Sequence, residues 1–204
     1  MSILSSSVSI TRYRVDGQIE ESVVDVVEEG LRKNSITHGE EEPSDKIVGW
    51  TTFEKPFSPN FDRSSFVIGS YFIFSLRIDK KTIPSKIFKK EYSIEVAKQL
   101  EESGREFLAR NEKKAIREQV TNVLSLRIPS TPYIYDVLWI YEESLLWFFS
   151  TQQSANEELE TLFLKSFKLH LIKLFPYTIA DRIVSLSDTE KDKLSKLSPI
   201  KLVE

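Results

Sequence analysis

The spacing of apolar residues along the chain predicts an alternation of strands and helices from the N-terminus onward. Val23, Val27 and Leu31 recur every four residues, which places them on one helix face, so residues 20–33 are predicted to form an amphipathic helix. The apolar-rich stretches on either side have the composition of strands, and they cover residues 8–15 and 47–53. An acidic loop with Gly and Pro is predicted over residues 38–45.

The clearest hairpin in the pattern has its turn at Gly69-Ser70. Apolar residues flank this pair over 66–68 and 71–78, and a two-residue Gly-Ser link is typical of a type II′ turn. The second strand is apolar on both faces until Arg77, which predicts a central position in its sheet.

Two long, charged helices are predicted after the hairpin. Pro84 suits the first position of a helix over residues 84–103, and Gly104 allows a break after it. A second helix is predicted over residues 111–126, with Pro129 stopping it. The apolar residues of the first of these helices do not form one narrow stripe, so we expect it to pack on two sides.

The second half of the chain reads as strand, strand, helix, strand. The segments are residues 133–141, residues 145–150, a helix begun by a capping box from Ser154 to Glu157, and residues 169–175. A helical tail follows from residue 177, with a second capping box from Ser187 to Glu190. The predicted fold class is therefore α+β, with antiparallel sheets and packed helices, and with a β-β-α-β unit in the second half.

These elements predict four parts in the chain. They are an N-terminal α+β lobe over residues 1–82, a charged helical segment over 83–130, a β-β-α-β lobe over 131–176 and a helical tail over 177–204.

Composition narrows the possible functions. The chain has no cysteine, which excludes disulfides, thiolate metal sites and a cysteine nucleophile. The N-terminus lacks the basic and apolar regions of a signal peptide, and no apolar run approaches the ~20 residues that span a bilayer. We therefore expect a cytoplasmic protein without a membrane contact.

Charge is unevenly distributed along the chain. Residues 77–127 carry thirteen Lys and Arg against eight Asp and Glu, a net charge of +5, although the whole chain has a net charge of −3. A protein that is acidic overall can still bind a polyanion through one basic surface. The helical segment between the two lobes is the predicted site of such a surface.

The basic segment contains a stripe of cations at helical spacing. Arg110, Lys113, Lys114 and Arg117 share one helix face. The apolar stripe of the same helix lies roughly 90° away, and consists of Ile116, Val120, Val123 and Leu124. Further candidate phosphate contacts are Arg77, Lys80, Lys81, Lys86, Lys89, Lys90 and Arg127. The alternative interpretation is a solvated helix face whose cations compensate neighbouring acids such as Glu112 and Glu118.

Catalytic and metal-binding patterns are weak in this sequence. His38 and His170 are the two histidines, and neither has a partner at metal-ligand spacing. No Gly-rich phosphate loop or nucleophile elbow occurs, so we predict no catalytic residue, no metal site and no cofactor. One weak pattern remains: Asp79 precedes Lys81 at a strand end, as in metal-dependent nucleases, with Asp62 and Glu54 as the nearest upstream acids.

Aromatic residues on the strands, Trp147 among them, allow two interpretations. Exposed sheet aromatics stack on unpaired bases in some nucleic-acid-binding proteins, whereas buried ones form the sheet core. We expect the core.

The order and spacing of several short motifs resemble the recombination-associated protein RdgC family. The motifs are Gly49-Trp50, Ile83-Pro84-Ser85 after a charged strand end, Glu112-Lys113, and Arg127 at the end of Leu124-Ser125-Leu126-Arg127. The resemblance covers the chain from its N-terminus to about residue 175. It implies a horseshoe-like subunit, a homodimeric ring whose positively charged hole admits duplex DNA, sequence-independent binding, and competition with the RecA recombinase for DNA.

The chain departs from the family pattern in two places. Typical members are longer, and the portion beyond residue 204 supplies one of the two dimer contacts in the family. The family's Leu-Leu-Pro-Arg-Ala-Phe stretch at the other contact is here Leu124-Ser125-Leu126-Arg127-Ile128-Pro129.

The predicted function is that of a non-enzymatic, nucleoid-associated DNA-binding protein that modulates recombination. A protein-interaction or scaffold module without DNA affinity is the alternative, and a metal-dependent nuclease centred on Asp79 is the third hypothesis.

Overall fold

The computed structural model of the protein describes residues 3–36, 46–184 and 186–197. The predicted acidic loop, with His38, lies outside these ranges. The strands are β1 (Thr11–Asp16), β2 (Lys46–Thr51), β3 (Val67–Ile68), β4 (Tyr71–Lys80), β5 (Thr131–Ile140), β6 (Leu145–Phe148) and β7 (His170–Lys173). The helices are α1 (Val23–Lys33), α2 (Arg63–Phe66), α3 (Ser85–Ser103), α4 (Arg110–Arg127), α5 (Gln153–Phe167), α6 (Pro176–Val184) and α7 (Asp188–Ser195).

The described strands form one sheet in the order β2-β4-β5-β6-β1-β7, with β3 paired to β4. The pairs β1–β6, β1–β7, β3–β4 and β5–β6 are antiparallel. The predicted α+β class is thus confirmed, and so is the β-β-α-β order of the second half. The predicted central position of β4 is also confirmed, since β4 lies between β2 and β5.

The chain divides into two compact units, each assembled from separate stretches of sequence. The first unit contains Met1–Ser35, Trp50–Leu76 and Tyr135–Glu204. The second unit contains Ile36–Gly49 and Arg77–Ile134.

Aromatic side chains fill the core of the first unit. Strict alternation along β1 buries Tyr13 and Val15 on one face and exposes Arg12, Arg14 and Asp16 on the other. Trp139 lies at the centre of the aromatic cluster, with its ring centroid 5.0 Å from that of Phe163 and 5.4 Å from that of Phe167. The Trp139–Phe163 contact is edge-to-face, and such contacts stabilise a core beyond the area they bury. The expectation that the strand aromatics form the core is confirmed for Phe72, Phe74, Trp139, Phe148 and Phe149, which are buried, but not for Tyr71 and Tyr133, which are exposed.

The second unit is built on α3 and α4. Leu108 joins the buried face of α4, and half-buried residues of α3 pack against this cluster. The α3 residues that contribute are Phe88, Tyr92, Val96 and Leu100. No residue of α3 is fully buried, and Ile94 on the same helix is 52% exposed. The prediction that this helix packs on two sides was therefore wrong, because only one of its faces meets a neighbour among the described residues.

Several predicted element ends differ from the structure. Phe66 ends the short helix α2 rather than beginning a strand, because Asp62 caps that helix by accepting the Ser65 N–H at 3.0 Å. Pro84 is the residue before α3 and not its first helical residue. The capping box predicted at Ser154 was wrong, since α5 begins at Gln153 and Ser154 is already helical.

Two predicted local features are present. Gly69 has φ +63°, whereas Ser70 has no positive φ, which fits the predicted type II′ turn. The backbone N–H of Ser187 donates to Glu190 Oε2 at 2.9 Å, as the predicted capping box of the last helix requires. No helix in the described ranges is long and apolar enough to cross a membrane.

Candidate nucleic-acid interface

The basic stripe of α4 is exposed. The helix buries Ile116, Val120 and Leu124 against the second unit's core. Val123, which was predicted to lie in the same buried stripe, is 38% exposed. All four cations of the stripe are exposed: Arg110, Lys113, Lys114 and Arg117. The sequence therefore places its apolar and basic faces as predicted, apart from Val123.

Glu112 is compensated from outside the stripe. Arg105, in the loop before α4, donates to Glu112 Oε1 at 2.6 Å, and the Ala109 backbone N–H donates to Oε2 at 2.7 Å. Mainly the Arg105 hydrogen bond, and then the Ala109 N–H, hold the pKa of Glu112 below its ordinary value. Glu112 therefore stays charged without engaging the stripe cations. Arg105 was not among the predicted site residues.

Most of the stripe is left without a counter-charge. Lys114 approaches Glu118 at 3.7 Å, but both side chains are largely exposed, and such a pair contributes little. Within the described ranges, Arg110, Lys113 and Arg117 form no ion pair. Among the described residues, Lys114 is therefore the one stripe cation within ion-pair distance of an acid.

Arg117 connects the stripe to the beginning of α3. Its guanidinium carbon lies 5.5 Å from the centroid of the Phe88 ring, within the range of a cation–π contact. Lys86, Lys89 and Lys90 surround Phe88 in sequence and are exposed. The first turns of α3 and the stripe of α4 therefore present cations within one unit.

The remaining predicted cations fall into different environments. Lys80 is exposed at the end of β4, and Lys81 is half-buried beyond it. Arg127 is exposed but lines a groove of about 170 Å³ that also contains Glu91, Ile94 and Glu95. Arg127 is therefore adjacent to acids, and the structure does not join it to the basic stripe.

The structure contradicts the expectation that Arg77 contacts phosphate. The residue is 4% exposed, and its Nε and Nη2 atoms donate to the two carboxylate oxygens of Asp79 at 2.7 and 2.6 Å. Residues two apart on a strand share a face, so the Arg-x-Asp spacing was a signal for this pair. Arg77 is consequently not accessible for a phosphate contact.

The nuclease hypothesis depends on the Asp79 carboxylate, which is engaged in this ion pair. Both oxygens of Asp79 accept hydrogen bonds from Arg77, and Asp79 is 7% exposed. Asp62, an upstream candidate for a second acid, caps α2 and accepts from the Ser64 hydroxyl. Within the described ranges, no three His, Cys, Asp or Glu residues are grouped as a metal site would require. His170 is exposed at the beginning of β7.

Comparison with known families decides the assignment. The family model described as "Putative exonuclease, RdgC" matches residues 9–182, which is most of the chain. The chain belongs to the RdgC family. The resemblance inferred from the sequence is therefore confirmed. No curated protein matches the chain.

The structure explains one of the motifs that carry the RdgC resemblance. Gly49 lies against the backbone of Ile36, where an added Cβ would be 2.6 Å from the Ile36 Cα and N atoms. Trp50 is fully buried, and its Nε1–H donates to Ser166 Oγ at 2.8 Å. The Gly-Trp pair therefore combines a close backbone approach with a core anchor.

Proposed function

We propose that this RdgC family member binds DNA without reading its sequence and thereby modulates recombination. The observation that carries the proposal is the set of exposed, uncompensated cations on α4: Arg110, Lys113 and Arg117. The lysines at the beginning of α3 extend this basic surface. Family membership supports a role in recombination.

Electrostatics explains why such a surface suits DNA. Cations that contact phosphates release condensed counterions, which gives affinity for any sequence. Phosphate contacts position a protein on DNA but carry no base information directly. The net charge of −3 for the whole chain does not oppose this binding, because its acids lie mostly outside residues 77–127.

The proposed role is not enzymatic. A metal-dependent nuclease would need Asp79 to present its carboxylate to a cation, whereas both oxygens accept hydrogen bonds from Arg77. We expect no Mg²⁺-dependent cleavage of single- or double-stranded DNA that depends on Asp79.

The family also suggests partners. We propose that the protein acts as a homodimer, associates with the nucleoid and competes with RecA for DNA. Sedimentation with and without duplex tests the dimer, and displacement of RecA from DNA tests the competition.

Fluorescence anisotropy with labelled duplexes tests the central proposal. Two duplexes of equal length and unrelated sequence should bind with equal affinity at each salt concentration, and log K should fall linearly with log salt. A strong preference for one duplex would contradict sequence-independent binding, and no binding at low salt would contradict DNA binding altogether. Incubation of the same duplexes with Mg²⁺ provides the cleavage control.

A second candidate is a protein-interaction module, and the groove on α3 and α4 favours it. Ile94 and Val123 line this groove and are 52% and 38% exposed, beside Glu91, Glu95 and Arg127. Exposed apolar side chains flanked by charges of both signs suit the binding of an amphipathic helix. This function predicts no salt-sensitive DNA affinity, so the anisotropy experiment distinguishes the two candidates.

A further inference from the structure

A stack of three side chains connects the core of the second unit to its basic stripe. The Tyr92 and Phe88 rings of α3 are stacked, with their centroids 5.9 Å apart and an interplanar angle of 13°. The guanidinium carbon of Arg117, on α4, lies 5.5 Å from the centroid of the Phe88 ring. All three residues belong to the second unit, so the stack lies within one compact part of the chain.

The ring that carries Arg117 is itself held in place. Phe88 and Tyr92 are half-buried, and both pack against the cluster formed by Leu108 and the buried face of α4. They are four residues apart on α3, so they lie on the same helix face. The core therefore holds Phe88, and Phe88 in turn restrains the long side chain of Arg117.

The Arg117 guanidinium remains available for a ligand. The residue is exposed, and in the described part of the chain its guanidinium forms no ion pair and donates no hydrogen bond. The adjacent acids are placed elsewhere: Glu118 approaches Lys114 at 3.7 Å, and Glu91 lines the groove that contains Arg127. A guanidinium has its N–H donors in its own plane, so a contact with an aromatic face leaves them free for bidentate binding of phosphate.

We propose that Phe88 is a positioning residue, which holds the Arg117 guanidinium ready for a phosphate of bound DNA. This role rests on the proposed DNA binding by α4, and it belongs to a residue that carries no charge itself. A long side chain that is ordered before binding loses less conformational entropy when the ligand arrives. Arg117 should therefore contribute more to duplex affinity than its charge alone, by a factor of about three to five.

Charge-conserving substitutions test this role by anisotropy with a labelled duplex at one fixed salt concentration. Arg117→Lys keeps the charge but loses the planar group that lies over Phe88, so duplex affinity should fall about three- to fivefold. Arg110→Lys is the matched control and should bind like the wild type, because Arg110 shares the stripe but contacts no aromatic ring among the described residues. The slope of log K against log salt should be the same in all three proteins, since none loses a charge.

A double-mutant cycle tests whether Phe88 acts through Arg117. Phe88→Leu keeps an apolar side chain against the core but removes the ring, and it should weaken duplex binding by the same factor as Arg117→Lys. The double variant should bind no more weakly than either single variant, since both changes remove one interaction. Phe88→Tyr keeps the ring and should bind like the wild type. Thermal unfolding establishes that each variant is folded, and Arg117→Lys against Arg110→Lys decides if Phe88→Leu does not fold.

Several results would overturn the role of Phe88. They are wild-type affinity in Arg117→Lys, an equal loss in Arg110→Lys, losses that multiply in the double variant, and a Phe88→Tyr variant as weak as Phe88→Leu. Any of these with intact duplex binding would leave DNA binding by α4 standing. Absence of duplex binding by the wild type would instead overturn the proposed function, and the role of Phe88 with it.

Discussion

The pair formed by Arg77 and Asp79 shows how residue-scale context decides function. In the sequence, Arg77 was interpreted as a candidate phosphate ligand and Asp79 as a candidate metal ligand, each without regard to the other. In the structure each neutralises the other in a buried, bidentate contact. The spacing of two residues on a strand was visible in the sequence. That the shared face is buried was not, because it depends on the neighbours of β4.

We predict that Asp79→Ala destabilises the protein by about 3–5 kcal/mol, because it removes the carboxylate that accepts two hydrogen bonds from the buried Arg77 guanidinium. Urea denaturation of the variant measures the change. Arg77→Met combined with Asp79→Leu should recover most of the loss, since it removes both charges. An Asp79→Ala variant of unchanged stability that loses a Mg²⁺-dependent cleavage would instead support the nuclease hypothesis.

Gly49 provides a second residue-scale prediction. Gly49→Ala should destabilise the protein by about 1–3 kcal/mol, because the new Cβ would meet backbone atoms of Ile36 that cannot move aside cheaply. Thermal unfolding measures the effect. Gly69→Asn is the control: this turn residue has no atom within 4 Å of a built Cβ, and Asn tolerates its positive φ. Equal effects of the two changes would refute the steric explanation.

At the scale of elements, periodicity was informative where one face of a helix is buried. It predicted α1, and it placed the buried and basic faces of α4. It failed for α3, since Ile94 is apolar yet exposed, and sequence alone does not show which face meets a neighbour. The four-residue helix α2 was missed because its beginning depends on the Asp62 cap rather than on periodicity.

The N-terminal turn of α4 yields a pH prediction. Because the folded pKa of Glu112 is lowered, its stabilising effect is complete above the unfolded pKa of about 4.3 and is lost as pH falls through the folded value. The difference in unfolding free energy between wild type and Glu112→Gln should therefore be constant near neutral pH and shrink in acid.

Chemical denaturation over a pH series measures this difference. Arg105→Gln should reduce it at neutral pH, since Arg105 supplies the principal hydrogen bond. A difference that persists unchanged well below the unfolded pKa would show that Glu112 is not held in its charged form.

At the scale of the whole molecule, the α+β class and the β-β-α-β order could be predicted from local patterns. The order of strands in the sheet could not, because β2 next to β4 and β7 next to β1 are pairings between distant parts of the chain. The sequence also did not predict which stretches form each of the two units, since each unit combines stretches that are separate in the chain.

The candidate site also combines a feature that the sequence predicts with one that it does not. Helical spacing predicted the stripe from Arg110 to Arg117. Its lack of counter-charges could not be predicted, because it depends on Arg105 reaching Glu112 from the preceding loop.

The salt dependence of duplex binding tests the central claim most directly. The decisive comparison is between wild type and a variant with Arg110, Lys113, Lys114 and Arg117 changed to Ala. A control variant loses the same charge through four other exposed lysines: Lys33, Lys165, Lys193 and Lys196. We predict that the slope of log K against log salt falls by about 3 to 4 in the first variant and hardly changes in the control. Equal slopes in all three proteins would contradict DNA binding by α4.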